Sequence, residues 1–298
     1  MTLWNLYGTT IEFGIVAALF ALSAHVTLWR GTLSLASAPV AAVAGYASVA
    51  LLARTGAPFE AALVTGGVVG ALAGLAVGVL LIRLDSHWFA LGTVALVICV
   101  RVLAVNLDGL TGGTAGTPVP VGLLPWHVFA ALALACYVFT RIRRSTFGLA
   151  AEAIRHDPDV AAGLGVPLRR HNLQSLALAG AIAGVAGVLY AGISRYVSPD
   201  TFSVNLAFTM LAGVVLGGAY YWLGAMAGGF VFAVLPELLQ TVFPRGVTLV
   251  NGVLLLIVVL FLPNGLIRPG AARALRDRLG AARGARQVTG EATGEVRP

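Results

Sequence analysis

The chain has 298 residues, of which 58% are apolar and 10% charged, with a net charge of +7. Soluble domains carry about a quarter charged residues, so water cannot be the solvent for most of this surface. All 19 basic residues are arginine. The lack of lysine excludes a P-loop ATPase and Schiff-base chemistry, since both need that side chain. The composition predicts an all-α polytopic membrane protein that is not an enzyme and has no catalytic or metal-binding residues.

Apolar runs long enough to cross about 30 Å of hydrocarbon recur along the chain, each bounded by charged, proline or polar residues. They predict a bundle of about nine transmembrane helices within one domain, residues 1–268. The second run is rich in small polar residues and proline, as in helices that line a cavity or re-enter the membrane. The predicted spans are 11–29, 33–53, 60–82, 88–105, 123–140, 173–193, 206–219, 224–242 and 247–262.

The placement of arginine predicts the orientation, because cytoplasmic loops retain positive charge. With the N-terminus outside and the C-terminus in the cytoplasm, fifteen arginines fall in cytoplasmic segments. Only Arg54, Arg195 and Arg245 then lie outside, and Arg101 lies near the outer end of the fourth span. The last 30 residues, 269–298, have few large apolar side chains, so we expect a disordered cytoplasmic tail.

The segment 141–172 is long for a connection within a helical bundle. Residues 148–155 have the composition of a short helix, and Asp157 can cap a second helix in which Pro158 occupies the first turn. Gly165 can end that helix in a left-handed conformation. The apolar residues of the second helix, placed on one face, are Val160, Ala161 and Leu164. Periodicity leaves two interpretations open: a helix that docks onto a partner, or one that lies on anionic headgroups.

The stretch GLAAEAIRHDPDVAAGLGVPLRRHNLQSLALAGAIAGVAGVLYAG resembles the coupling loop and following helix of permeases of the branched-chain amino-acid ATP-binding-cassette (ABC) importers. The resemblance continues upstream through GTLSLASAPVAAVAGYASVALL and downstream through SPDTFSVNLAFTMLAGVVLGGAYYWLGAMAGG. It covers about residues 11–268. Each motif is weak alone, because Gly/Ala-rich helices occur in many transporters, and their order is the specific feature.

The resemblance implies that the loop seats in a groove of a cytoplasmic ATPase, which favours the docking interpretation. It also implies two such ATPase subunits that use ATP and Mg, a second permease subunit, and a periplasmic binding protein that delivers branched-chain amino acids or related small amides. This chain would bind no cofactor and no nucleic acid, and would sit in the inner membrane among its lipids. The residues that match the family's loop are Glu152, Ala153, Ile154, Arg155, Asp157, Pro158, Ala161 and Gly165.

Residues for a translocation path are predicted from the second span and from the paired glycines at the end of the seventh. They are Ser34, Ser37, Pro39, Gly217 and Gly218. The chain departs from the family after the paired glycines, where Tyr220, Tyr221 and Trp222 replace a small turn at the predicted cytoplasmic interface. Aromatic residues there are typical of a membrane-interface belt. The departure leaves the substrate open.

Other classes make different demands on the sequence. A secondary transporter or channel acting alone requires ionisable residues at membrane depth. Glu12, Arg101, Asp108 and Glu237 instead fall near predicted span ends, where snorkelling relieves their cost. A membrane-embedded enzyme requires a cluster of catalytic or metal-binding residues, and no such motif is present. A non-transporting scaffold is compatible with the sequence.

Overall fold

The computed structural model describes residues 3–84, 86–119, 123–218 and 221–240. Within these ranges the chain is almost entirely helical, with one 3-10 turn at Gly113–Ala115 and a two-residue strand pair. The helices are α1 (Leu3–Trp29), α2 (Ser37–Thr55), α3 (Phe59–Leu81), α4 (Ser86–Asn106), α5 (Asp108–Thr111), α6 (Pro125–Arg143), α7 (Thr146–His156), α8 (Pro158–Gly163), α9 (Leu168–Ser194), α10 (Val204–Gly217) and α11 (Trp222–Gln240); the strands are β1 (Thr117–Pro118) and β2 (Tyr196–Val197).

Six of these helices are long and apolar enough to cross a membrane, namely α1, α2, α3, α4, α6 and α9. Two further apolar stretches are shorter, Val204–Gly217 in α10 and Trp222–Glu237 in α11. With 14 residues, α10 is about 21 Å long, less than the roughly 30 Å of a hydrocarbon core. The all-α polytopic fold is therefore confirmed, and eight of the nine predicted spans appear as helices. The ninth, 247–262, and the tail 269–298 lie outside the described residues.

The second span differs from its prediction at its start. Residues 32–35 are not helical, and α2 begins at Ser37 rather than at 33, which puts Pro39 in its first turn, where proline is tolerated. Two hydroxyl groups accept the N–H groups of this irregular stretch: Thr93 Oγ1 from Leu35 (3.1 Å) and Ser34 Oγ from Ala36 (3.2 Å). From Ser37 onward α2 is uninterrupted.

The interior of the bundle is built from α1, α2 and α9, whose residues are mostly buried. The helices α3, α4 and α6 surround them and expose most of their surface. Large apolar side chains dominate that surface, for example Leu72, Leu103 and Leu134. A soluble protein could not expose such side chains over three helices, whereas lipid solvates them without cost.

The most extensive contact between described helices joins α3 to α9 and is made through glycines. A Cβ on Gly70 would overlap the carbonyl oxygen of Gly180, and one on Gly184 would overlap the carbonyl oxygen of Gly66. Small residues let two backbones approach this closely, and the gain is dispersion, because lipid supplies no hydrophobic drive between helices. The third and sixth predicted spans are thus paired by their glycine faces.

At one end of the bundle, a short strand pair and an ion pair join segments that are distant in the chain. The strands β1 and β2 pair antiparallel, with Thr117 opposite Val197. Nearby, Arg101 Nη2 lies 2.6 Å from Asp200 Oδ1 in an exposed ion pair. The segment that contains α7 and α8 lies at the other end, because α6 runs away from the first end and enters α7 after a turn of two residues.

We expect Gly70→Ala to destabilise the bundle, by about 1–3 kcal/mol, because the added Cβ overpacks the α3–α9 contact. The measurement is the temperature at which half of the purified chain loses its monodisperse elution peak in detergent. Gly67→Ala is the matched control, since a Cβ there meets only Val185 Cγ2, at 3.4 Å. Equal losses in the two variants would contradict the packing assignment.

Candidate functional site

Two short helices, α7 and α8, form the connection between α6 and α9. The Asp157 carboxylate caps α8, accepting the backbone N–H groups of Asp159 (2.9 Å) and Val160 (3.1 Å). Pro158 occupies the first turn and Gly165 adopts a left-handed φ of 87° beyond the end. The predicted capping is therefore confirmed. The connection is shorter than predicted, 144–167 rather than 141–172, because α6 ends at Arg143 and α9 begins at Leu168.

The inner face of the connection is fastened to the bundle. His171, in the first turn of α9, donates from Nε2 to the carbonyl oxygen of Phe147 (3.0 Å) and stacks on the Phe147 ring with centroids 4.3 Å apart. Ser175 Oγ in turn donates to the carbonyl oxygen of His171 (2.8 Å). Ile154 and Ala161 are buried on the same side. The connection is thus held to α9 by hydrogen bonding and by packing.

An aromatic cluster extends this attachment to three more helices. Trp29 of α1 lies between Phe139 of α6 (5.5 Å between centroids) and Phe147 of α7 (6.5 Å). Trp222, the first residue of α11, packs on Phe139 at 5.5 Å and is only 9% exposed. His25 packs on the same phenyl ring at 5.9 Å. Trp222 is therefore buried and is not the membrane-interface residue that its position in the sequence suggested.

The outer face of the connection is exposed. Val160 of α8 and Leu164, the residue directly after α8, are 59% and 77% exposed, while Ala161 is buried. The predicted apolar stripe is thus divided, with two large side chains facing out and the small one facing in. Among the predicted coupling residues, Glu152, Asp157, Pro158 and Gly165 are exposed, Ala153 and Arg155 are half-buried, and Ile154 and Ala161 are buried.

Positive charge surrounds this face. Arg143 and Arg144 line a cavity of about 470 Å³ with Thr140, Glu152 and Trp222. Arg30, the residue directly after α1, lies at this end of the bundle. It donates a hydrogen bond from Nη2 to Thr32 Oγ1 (2.9 Å). Burial lowers the pKa of the Arg30 guanidinium to about 10, which still leaves it charged at neutral pH. The end of the bundle that carries α7 and α8 is therefore strongly cationic.

The predicted path residues of the second span lie inside the bundle. The Ser37 hydroxyl donates to Ser23 Oγ (2.9 Å), since Ser23 donates its own proton to the carbonyl oxygen of Ala179 (2.8 Å). Ser23 precedes the end of α1 by six residues, about 9 Å of helix. The irregular stretch before α2 therefore re-enters the bundle to that depth. Non-helical backbone at membrane depth occurs only where protein buries it or where it lines a cavity.

The other path residues fall into two places. Pro39 lines a cavity of about 440 Å³ between α2, α3 and α4. Gly217 ends α10, where a Cβ would overlap the carbonyl oxygen of Gly224 in α11, and Gly218 follows with a φ of 99°. The paired glycines therefore lie where α10 ends, in close contact with α11. The part of all five residues in a translocation path stays a prediction.

Sequence reasoning missed the residues that fasten the connection, namely Trp29, Phe139, Phe147 and His171. Each lies in or beside an apolar run, where an aromatic side chain gives no signal of a specific contact. The predicted loop includes the polar sequence Arg169–Arg170–His171–Asn172, whereas in the structure this sequence belongs to α9, which begins at Leu168. No group of three or more residues that could hold a metal ion occurs among the described residues.

Comparison with known proteins gives one matching family. Its model, described as "Branched-chain amino acid transport system / permease component", matches residues 7–262. The LivM permease protein of a high-affinity branched-chain amino acid transport system in Escherichia coli (strain K12) is 28% identical over 278 residues. The protein of the same name in Salmonella typhimurium is 27% identical over 278 residues.

Each of these alignments covers 82% of this chain but 65% of the relative, so the chain spans less than two thirds of the LivM proteins. A probable branched-chain amino acid transport permease protein, LivH, of Methanocaldococcus jannaschii is 27% identical over 143 residues, 47% of this chain and 45% of the relative. No solved structure matches. Because the family model covers most of the chain, this multi-pass membrane protein belongs to the permease components of branched-chain amino acid transport systems.

Proposed function

We propose that this chain is the transmembrane subunit of an ABC importer that carries branched-chain amino acids, or related small amino acids and amides, across the inner membrane. The observation that carries the proposal is the α7–α8 connection, which exposes apolar side chains on one face and is fastened to the bundle by the other. The proposed substrate class follows the names of the relatives, and the wider range allows for the departures at Tyr220–Trp222.

The partners in this proposal are two cytoplasmic ATPase subunits, a second permease subunit and a periplasmic binding protein. This chain has no lysine with which to build a phosphate-binding loop. In this proposal the partner ATPases therefore bind and hydrolyse Mg-ATP. Val160 and Leu164 are the apolar contacts that such an ATPase would cover. Two exposed apolar side chains on a short capped helix are more stable when a protein groove covers them than when they face water.

The proposed orientation puts the N-terminus outside and the α7–α8 end in the cytoplasm. Of the eleven arginines in the described residues, eight lie at the α7–α8 end. The other three, Arg54, Arg101 and Arg195, lie at the opposite end, and Arg101 is paired there with Asp200. This asymmetry has the sign that the retention of positive charge in the cytoplasm predicts.

Coupling requires that a movement of the docked connection reach the helices around the path. The contacts of Phe147 with His171 and Trp29 join α7 to α9 and α1. The Ser23 and Ser37 hydroxyls then join α1 to α9 and α2, next to the irregular stretch at membrane depth. ATP binding and hydrolysis on the partners would thereby shift an equilibrium between outward-open and inward-open states.

The function is tested by co-purification from membranes with the candidate ATPase subunits. We expect the intact chain to capture them and a variant with residues 150–165 replaced by a Gly/Ser linker to lose them, because the docking face is removed. Membrane insertion of both chains is checked by their extraction yield. Failure of the intact, well-expressed chain to capture an ATPase would favour a carrier or channel that acts alone.

We expect Arg155→Glu combined with Asp157→Ala to uncouple ATP hydrolysis from transport in the reconstituted complex. The alanine removes the cap of α8, which contributes about 1 kcal/mol, and the glutamate reverses a charge on α7. Asp157→Asn is the matched control, since asparagine caps equally well. The measurement is substrate uptake per ATP hydrolysed in proteoliposomes. Full uptake by the double variant would contradict the coupling assignment.

We expect His171→Ala to loosen α7 without removing it, because the carbonyl oxygen of Phe147 loses its buried donor, at about 1–3 kcal/mol. Hydrogen exchange of the amides of residues 147–156 should then accelerate about tenfold or more. His156→Ala is the control, since His156 is an exposed histidine at the end of α7 itself. Unchanged exchange in the His171 variant would mean that the aromatic cluster alone holds the connection.

A further inference from the structure

An apolar groove of about 500 Å³ runs along the outside of the bundle between α3, α6 and α9. Small residues such as Gly67, Ala131 and Ala181 leave the space, and Val64, Leu134 and Ile182 are among the larger side chains along it. Among the described residues that line it, Glu60 and His127 are ionisable. Both lie at one end, because Glu60 is the second residue of α3 and His127 the third of α6.

The size of the groove limits what can fill it. The lining residues of α6 run from Trp126 to Val138, about 18 Å of helix, which is close to one leaflet of a roughly 30 Å hydrocarbon core. The groove therefore has the length that an extended acyl chain spans within one leaflet.

The polar end of the groove carries a negative charge. His127 is 3% exposed, and its Nε2 lies 3.1 Å from Glu60 Oε1. His127 Nδ1 lies 3.3 Å from the N–H nitrogen of Leu124 and 3.1 Å from its carbonyl oxygen, while Nε2 donates to the Glu60 carboxylate. This hydrogen bond orients the Glu60 carboxylate. The Glu60 side chain is 54% exposed and accessible from the membrane surface.

Trp126 lies at the same end of the groove. Its ring stacks on His127 with centroids 3.9 Å apart and planes 27° apart, and the residue is 53% exposed. One face of the indole is therefore covered by His127, and about half of the residue remains exposed. An exposed carboxylate attracts a cation through charge, and an exposed indole at the same end attracts one through its ring quadrupole. Anionic headgroups would meet the same carboxylate unfavourably.

We propose that this groove is a binding site for a phospholipid whose headgroup carries an ammonium group. One acyl chain occupies the groove along α6, and the ammonium lies beside the Glu60 carboxylate, at the end of the groove that also exposes Trp126. The site lies in the leaflet opposite to the α7–α8 end. It would favour phosphatidylethanolamine over phosphatidylglycerol, and it would steady the α3–α9 contact from outside.

The test uses the purified full-length chain in nanodiscs that contain equal amounts of phosphatidylethanolamine and phosphatidylglycerol with identical acyl chains. Native mass spectrometry counts the lipids that remain bound after release. We expect phosphatidylethanolamine to exceed phosphatidylglycerol, and Glu60→Gln or Trp126→Ala to lower that ratio about three- to fivefold, as for exposed ion pairs and cation–π contacts. The glutamine still accepts the His127 hydrogen bond, so the fold is kept.

Two further variants complete the test. Gly67→Leu should abolish retention of the lipid, because its side chain enters the groove and a Cβ there meets only the Val185 side chain. Asp108→Asn removes an exposed carboxylate at the same end, outside the groove, and should change nothing. Equal retention of the two lipids by the unaltered chain, or an undiminished preference in Glu60→Gln, would overturn the proposal. It would also be overturned if Gly67→Leu altered the oligomeric state but not the bound lipid, since the groove would then be an interface between copies.

Discussion

The backbone contact between α3 and α9, made by Gly66 and Gly70 against Gly180 and Gly184, supports the rest of the bundle. In lipid there is no hydrophobic drive between helices, so such close approach is one of the few means by which two spans can hold each other. The helix α9 also packs on α1 and α2, and it begins at the connection that contains α7 and α8. One helix thus joins the centre of the bundle to its cationic end.

The connection itself combines two opposite requirements. The docking surface that we propose must be exposed, yet it must also transmit movement, which demands firm attachment. The chain meets both requirements on short helices, with Val160 and Leu164 facing outward and Ile154 and Ala161 facing the bundle. The aromatic cluster around Phe139 spreads the attachment over α1, α6, α7 and α11, so no single span bears it.

Several polar groups at membrane depth make hydrogen bonds that join neighbouring elements. The irregular stretch before α2 satisfies its N–H groups through Thr93 and Ser34, and Ser23 and Ser37 bridge three helices. Such backbone is costly in lipid, so its presence marks the place where a path through the bundle would be built. The two ends of the bundle also differ in charge: arginines cluster at the α7–α8 end, and the charges at the opposite end are paired or isolated.

The sequence by itself determined the helical membrane fold, most span positions and the capped α8, because hydropathy over about 20 residues and local capping chemistry are properties of neighbouring residues. It also indicated the break near Ser34, and the match to the family rests on the order of its motifs. Only the tertiary structure decided that α9 begins at Leu168 and brings His171 onto Phe147, that Trp222 is buried, and that Val160 and Ala161 face opposite ways. These features depend on residues distant in the chain, and in a uniformly apolar sequence no periodicity distinguishes a side chain that faces lipid from one that faces another helix.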